Sequence, residues 1–286
     1  MSRPRKIVRS ILVAISALFV FFVGHTIWSN TTVGSSHFQV TSEHIPSEFT
    51  GFKIAQISDL HNVQFGEDNS KVINILKKEK PNIIAITGDL VDSNHLDMDT
   101  AMEFVYQATD IAPCYYVTGN HEGWIGPTYN TLEEKLTEAG VTVLRNNGVL
   151  LREGEAHIQL IGLNDPVFSI GSHVSKTDAL ASELHNMKLE SGFTILLSHR
   201  PEAFDEYTKY DIHLVLAGHA HGGQIRIPFV GGLKAPGQGI FPKYDAGEYR
   251  KNDTTMIVSR GIGNSVFPVR INNQPEVVIV QLKSTQ

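Results

Sequence analysis

His219 and His221 stand one residue apart in "LAGHAHGGQ", directly after an apolar run. Other apolar runs end in the same abrupt way: Asp59 and His61 in "DLH", Asp89 and Asp92 in "GDLVD", Asn120, His121 and Glu122 in "GNHE", and His199 after "FTILLS". Imidazole nitrogens, carboxylates and an amide oxygen, with no thiolate, form a donor set for Mn, Fe, Zn or similar divalent ions. The donors are too many for one tetrahedral ion. A pair of ions about 3.5–4 Å apart would use them all, with one carboxylate as bridge. Asp89, beside Gly88 at a strand end, is the best placed bridge. A water held between two such ions ionises near neutral pH and becomes an in-line nucleophile toward phosphorus, while the cations neutralise the phosphate oxygens. His121 then serves as the acid for the leaving oxygen, with Glu122 orienting it. Gly88, Gly119 and Gly218 allow the backbone to turn or approach closely where the donors converge.

These residues need a scaffold that brings distant strand ends to one rim. From Phe52 onward short apolar runs alternate with helical periods: "FKIAQIS" with "NSKVINILKKEK", "NIIAIT" with "TAMEFVYQATD", "CYYVT" with "TLEEKLTEAG". That alternation predicts βαβ units and a largely parallel sheet, whose carboxyl-terminal strand ends form the ligand-binding edge. The middle differs. "VTVLRNNGVLLREG" reads as two strands joined by a hairpin at Asn146–Asn147–Gly148, and "HIQLIGL" as a third. Residues 175–189 read as a helix, "FTILLS" and "HLVLA" as buried strands, and the last part as strand-rich. No linker divides the chain, so a single α/β domain with more than one sheet is expected.

The N-terminus has a different character. Arg3, Arg5, Lys6 and Arg9 precede "ILVAISALFVFFVGHTIW", 18 residues from Ile11 to Trp28. About 20 apolar residues span a bilayer as a helix, and basic residues favour the cytoplasmic side. Residues 1–28 are therefore expected to be a basic stub and retained signal anchor, 29–50 a polar stalk with an edge strand in "HFQVTSEHI", and 51–286 the globular domain. That arrangement makes a single-pass protein of the cell membrane with its active domain extracytoplasmic. A net charge of −6 and the lack of a basic stripe beyond the stub argue against a nucleic-acid platform. The single cysteine, Cys114, excludes an internal disulfide and reads as core packing.

Taken together and in this order, "DLH", "GDLVD", "GNHE", "SHRPE" and "GHAHGGQ" resemble the calcineurin-like metallophosphoesterase superfamily, and within it the membrane-tethered bacterial branch of YkuE- and YaeI-type phosphodiesterases. The resemblance runs from about Phe52 to Leu282. It implies a four-layer α-β-β-α sandwich. It also implies one ion on Asp59, His61, Asp89 and His221, a second on Asp89, Asn120, His199 and His219, and a leaving-group or phosphate-contacting role for His121. The function implied is hydrolysis of a phosphodiester or pyrophosphate at the membrane surface by a metal-bridging hydroxide, with lipid-linked or cell-wall phosphates as substrates. The alternative is a non-catalytic, metal-dependent module that attaches to wall or lipid phosphate.

Outside the blocks, His25, His37, His44, His95, His157, His173, His185 and His213 read as surface or core residues. Asp92 reads as a helix cap or a partner of a ligand. Arg200 either reaches a substrate phosphate or pairs with Glu202, and Asn62 is open in the same way. The loop at 231–241 is either a cover over the site or an ordinary connection.

Overall fold

The computed structural model describes residues 3–169, 174–264 and 267–286. Helix α1 (Arg3–Thr31) is followed by β1 (Gly34–Ser42), β2 (Lys53–Ile57), α2 (Ser70–Glu79), β3 (Ile83–Thr87), α3 (Met98–Thr109) and β4 (Cys114–Val117). Then come α4 (Asn120–Trp124), α5 (Tyr129–Glu138), β5 (Thr142–Val143), β6 (Asn147–Glu153), β7 (Ala156–Gly162) and α6 (Lys176–Asn186). Next are β8 (Thr194–Leu197), α7 (Phe204–Tyr207) and β9 (Leu214–Ala217). Two small antiparallel ladders follow: β10 (Arg226–Ile227) with β11 (Gly231–Gly232), and β12 (Lys234–Ala235) with β13 (Gly239–Ile240). The chain closes with β14 (Gly247–Lys251), β15 (Thr254–Val258) and β16 (Glu276–Ser284).

The long strands form two six-stranded sheets, ordered β1-β16-β2-β3-β4-β5 and β14-β15-β9-β8-β7-β6. Strands β2 to β5 are parallel neighbours in the first, and β7, β8, β9 and β15 in the second. Alternate residues of each buried strand face opposite layers. Ile54, Ala85, Leu197 and Leu216 meet between the sheets. Ile57 and Ile86 meet Leu76, Phe104 and Leu132 of the helices on one outer side, and Leu196 and Val215 meet Leu184 and Phe204 on the other. Helix, sheet, sheet and helix thus make four layers. Buried aliphatic side chains of this kind contribute about 1.5–3 kcal/mol each.

Three local readings change in the folded chain. The edge strand expected in "HFQVTSEHI" is present as β1, which starts earlier, at Gly34, and pairs in parallel with β16 along its whole length; with Val40, Ile45 and Phe49 buried between the sheets, the segment from Gly34 belongs to the domain and not to a stalk. The Asn146–Asn147–Gly148 turn is not a hairpin. β5 belongs to the first sheet and β6 to the second, so the chain changes sheets there, with Asn146 left-handed and its Oδ1 accepting from Asn164 N. The hairpin is β6–β7, turning at Gly154. Helix α6 stops at Asn186 rather than continuing to 189, because the buried Gln159 side chain donates to Lys188 O and accepts from Glu190 N, holding that stretch out of the helix.

Lys6–Thr31 is one helix long and apolar enough to cross a membrane, and its apolar window is not buried. Its last turn is docked on the domain. Asn30 Nδ2 donates to Arg270 O at 2.7 Å and Asn30 Oδ1 accepts from Arg270 N at 2.8 Å. Gln274 Nε2 donates to Thr32 Oγ1, and Lys71 Nζ to Thr31 O.

Candidate metal centre

The ends of β2, β3, β4, β8 and β9 deliver their polar clusters to one rim. Asp59, His61, Asp89, His219 and His221 all have left-handed backbones, an arrangement that Asp and His tolerate better than most side chains and that concentrates strain at functional sites. The turns are tied to one another: Asp59 N donates to Gly88 O, His61 N to Asp89 O, and Gly218 N to His199 O. Gly218 packs so closely that a Cβ would overlap Ser58 Oγ and lie 2.6 Å from Asp59 Oδ2.

Among the described residues, two groups of donors that share Asp89 result, beside a third of His61, Asp92 and His121. Asp59, His61, Asp89 and His221 each offer an atom within 4.8 Å of the others, as do Asp89, His199 and His219. Asp89 belongs to both. Its Oδ2 lies 3.6 Å from His61 Nε2 and 3.2 Å from His199 Nε2, while Oδ1 accepts from His121 N at 2.9 Å. His61 Nε2 and His221 Nε2 face each other at 3.3 Å, and His221 Nε2 is 3.4 Å from Asp59 Oδ1. His199 Nδ1 donates to Thr87 O, which turns Nε2 toward His219 Nδ1, 3.1 Å away. Asn120 is buried, and its Oδ1 has no protein partner. A buried acceptor without a donor is costly unless something else satisfies it, and a cation would. The residues fit a pair of divalent ions on that observation and on the donor chemistry.

The neutral state suits ligation at three of the four histidines, and the fourth is held by carboxylates. Burial, with neighbouring cationic groups, holds His61 and His219 well below the ordinary imidazole range and lowers His221. Neutral imidazole is the ligating form. Burial opposes charge at Asp89, yet His199, His61 and His121 around it hold its carboxyl well below the usual range. Burial also opposes the His199 cation, but Asp89 and Asp59 outweigh it and push the ring up to about 10.

His121 lies beside this cluster, its ring 4.5 Å from that of His61. Ser93 N donates to His121 Nδ1 at 3.0 Å, with Ser93 Oγ at 3.1 Å and Asp92 Oδ1 at 3.8 Å. An acceptor Nδ1 leaves the proton of a neutral ring on Nε2. Glu122 does not orient His121 as the sequence suggested. Its buried carboxylate accepts from the backbone N–H groups of Asp89, Leu90, Val91 and Gly119, clamping the two turns that present Asp89 and Asn120. Burial and the nearby Asp89 push Glu122 up to about 7 against those donors.

Arg200 is buried and takes neither expected role alone. Its Nε and one terminal nitrogen donate to Asp165 at 2.6 and 3.1 Å, its other terminal nitrogen lies 2.7 Å from His219 Nε2, and Glu202 is a weaker partner at 3.4 Å. It therefore positions the His219 ring from the side opposite Nδ1. Asp165, three residues beyond β7, is a site residue the sequence reading missed, although the strand-end rule that found the others applies to "IGLND" as well. Asn273 and Arg270 were also missed. Asn273 Nδ2 donates to His221 O, and the buried Arg270 guanidinium donates to Arg260 O and Gly263 O. Neither has a local signal. Arg200→Met strands the buried Asp165 carboxylate, so a loss of about 3–5 kcal/mol is expected in urea unfolding; a loss under about 1 kcal/mol would show that the pair is not desolvated as described.

Asp92 caps no helix. Its Oδ1 accepts from Asn94 N and His95 N, and the cap of α3 is Asp97. Asn62 Nδ2 donates to His95 O. His213 is a core residue whose Nδ1 accepts from Thr194 N and whose ring packs on His44, and His37 sits at the surface beside Glu79. His25 lies on α1 between Phe21 and Trp28, while His157 and His185 are exposed. His173 lies outside the described residues. The 231–241 stretch forms the wall of two ladders, pinned to the histidine segment by Leu233 N donating to Gly223 O and Ile225 O.

Residues 52–223 match the family model of the calcineurin-like phosphoesterases. The chain is a calcineurin-like metallophosphoesterase. YkuE of Bacillus subtilis (strain 168), named an uncharacterized metallophosphoesterase, is 32% identical over 262 residues, covering 87% of each chain. Phosphodiesterase YaeI of Escherichia coli (strain K12) is 30% identical over 235 residues, covering 81% of this chain and 82% of that one. A Danio rerio transmembrane protein with metallophosphoesterase domain is 27% identical over 261 residues, covering 86% of this metallophosphoesterase and 56% of that protein. The family and the Asp/His groups together point to a dinuclear divalent-metal site.

Proposed function

We propose that this metallophosphoesterase hydrolyses a phosphodiester or pyrophosphate at the outer surface of a cell membrane, with α1 as its single transmembrane anchor. Asp59, His61, Asp89 and His221 hold one divalent ion, and Asp89, Asn120, His199 and His219 the second, with Mn, Fe or Zn suited to these donors. When bound, such a pair supplies Lewis-acid charge for the phosphate and lowers the pKa of water so that it attacks phosphorus. The observation that carries the reading is the Asp89 carboxylate shared by two histidine groups, which also accepts from the His121 backbone N–H.

The protein's own residues complete the reaction. The Ser93 N–H on His121 Nδ1 favours the tautomer with its proton on Nε2, the atom that gives it to the leaving oxygen. Glu122 keeps Asp89 and Asn120 in register through four backbone N–H groups, and Arg200 with Asp165 fixes the His219 ring. The name of YaeI supports a diester over a monoester. The basic residues in the first turns of α1, ahead of its apolar stretch, support a cytoplasmic N-terminus and an extracytoplasmic domain.

A binding module that only attaches to phosphate needs no proton donor, and the fixed His121 ring speaks against it. The purified full chain with Mn²⁺ is expected to hydrolyse bis-nitrophenyl phosphate and to lose at least about 90% of that activity to a chelator, recovered on adding metal back. Phosphate binding without any turnover would replace the hydrolase with the binding module.

A further inference from the structure

A groove of ≈ 460 Å³ starts at His221 and runs along Ile225, Leu233, Ala235, Pro236 and Phe267. Its size is that of a ligand site; Gln224 and the exposed Lys234 also line it, but the Gln224 amide is engaged by Phe267 O and Val269 O, and the five side chains just named are apolar. One end is thus a proposed metal ligand, and the rest suits hydrocarbon. The wall that carries Phe267 is the segment that grips the base of α1: three residues on, Arg270 exchanges two hydrogen bonds with Asn30. Gln224 ties that wall to the histidine segment by donating to Phe267 O and Val269 O. The groove therefore lies beside the point where the apolar helix enters the domain. The two ladders that form its other wall expose Phe229, Val230, Ile240 and Phe241. Apolar exposure grouped in this way marks an interaction surface, and beside a membrane anchor the partner is the bilayer.

We propose that the substrate is a membrane lipid phosphoester, whose phosphate sits at the metal centre while a hydrocarbon chain lies in this groove. The proposal deepens the phosphoesterase reading and rests on it. A soluble nucleotide or polyol phosphate would leave the Ile225–Leu233–Phe267 surface in water. A lipid covers it and loses little, since its chain passes from one apolar environment to another.

The test uses the full chain, loaded with Mn²⁺, in nanodiscs of digalactosyldiacylglycerol, a lipid without phosphate, with ethyl and hexyl phosphate titrated by calorimetry. Each fully buried methylene tightens binding about fourfold, so four half-buried ones give at least about tenfold preference for the hexyl ester. Partition of the longer chain into the disc is common to wild type and variants, so the comparison between them decides. Phe267→Ser and Leu233→Gln are each expected to lower the hexyl-to-ethyl ratio at least about fivefold. The ratio is the readout because a shared loss of metal or fold cancels in it. Equal ratios in wild type and both variants would overturn the groove assignment while ethyl phosphate still binds and bis-nitrophenyl phosphate is still hydrolysed. If neither of those occurs in the wild type, the phosphoesterase reading has failed and the groove assignment falls with it.

Discussion

Asp89→Asn is expected to lower kcat/KM for bis-nitrophenyl phosphate by roughly 10³-fold or more, and to reduce bound metal from about two ions per chain to one or none. The reason lies in the shared carboxylate. Asp89 Oδ2 stands 3.6 Å from His61 Nε2 and 3.2 Å from His199 Nε2, so it is the one carboxylate common to both donor groups. An amide keeps the shape and has no charge to divide between two cations. The fold should survive, because the Asn Oδ1 can still accept from His121 N as the carboxylate does. Urea unfolding and metal analysis on the same sample separate the effects: an intact transition with lost metal is the expected pair. Activity within tenfold of wild type with two ions bound would show that Asp89 does not bridge.

His121→Ala should act differently. Metal content is expected to remain, since Asp59, Asp89, His199, His219 and His221 keep their mutual contacts without it. Turnover of diesters with alkyl leaving groups is expected to fall by about 10²–10⁴-fold, the usual contribution of a positioned acid. For a nitrophenyl leaving group, which departs as a stable anion, the loss should be much smaller. A plot of log rate against leaving-group pKa would therefore steepen in the variant. Equal losses for both kinds of leaving group would mean that His121 binds the phosphate and transfers no proton. The Ser93 N–H to Nδ1 hydrogen bond that sets the His121 tautomer is a main-chain contact, which side-chain substitution at 93 does not remove.

The donor set was legible because each of its blocks is local. An apolar run followed by Asp, His or Asn is a pattern of five to ten neighbouring residues, and the parallel-sheet rule sends all such ends to one edge. Seven proposed ligands and His121 were found that way, as were the alternation of strands and helices and the exposed apolar helix at the N-terminus. Asp165 obeys the same rule. It escaped because its neighbours form no motif.

The rest was decided by tertiary structure. Glu122 stands next to His121 in the chain, yet serves the Asp89 turn about thirty residues away, because its carboxylate reaches the N–H groups that the left-handed turn leaves unpaired. The stretch from Gly34 reads as a polar stalk with an edge strand in "HFQVTSEHI", and the strand is the part that holds. It is a strand because β16, 242 positions on, offers it a free edge. Arg270 has no signature in the sequence and acquires its part by being buried between the rim of the site and the base of α1. Local periodicity specifies strands, helices and the residues at their ends. Which of those ends share an atom, and which apolar walls enclose a groove beside them, depends on how two sheets pack face to face, a long-range outcome that only the folded chain contains.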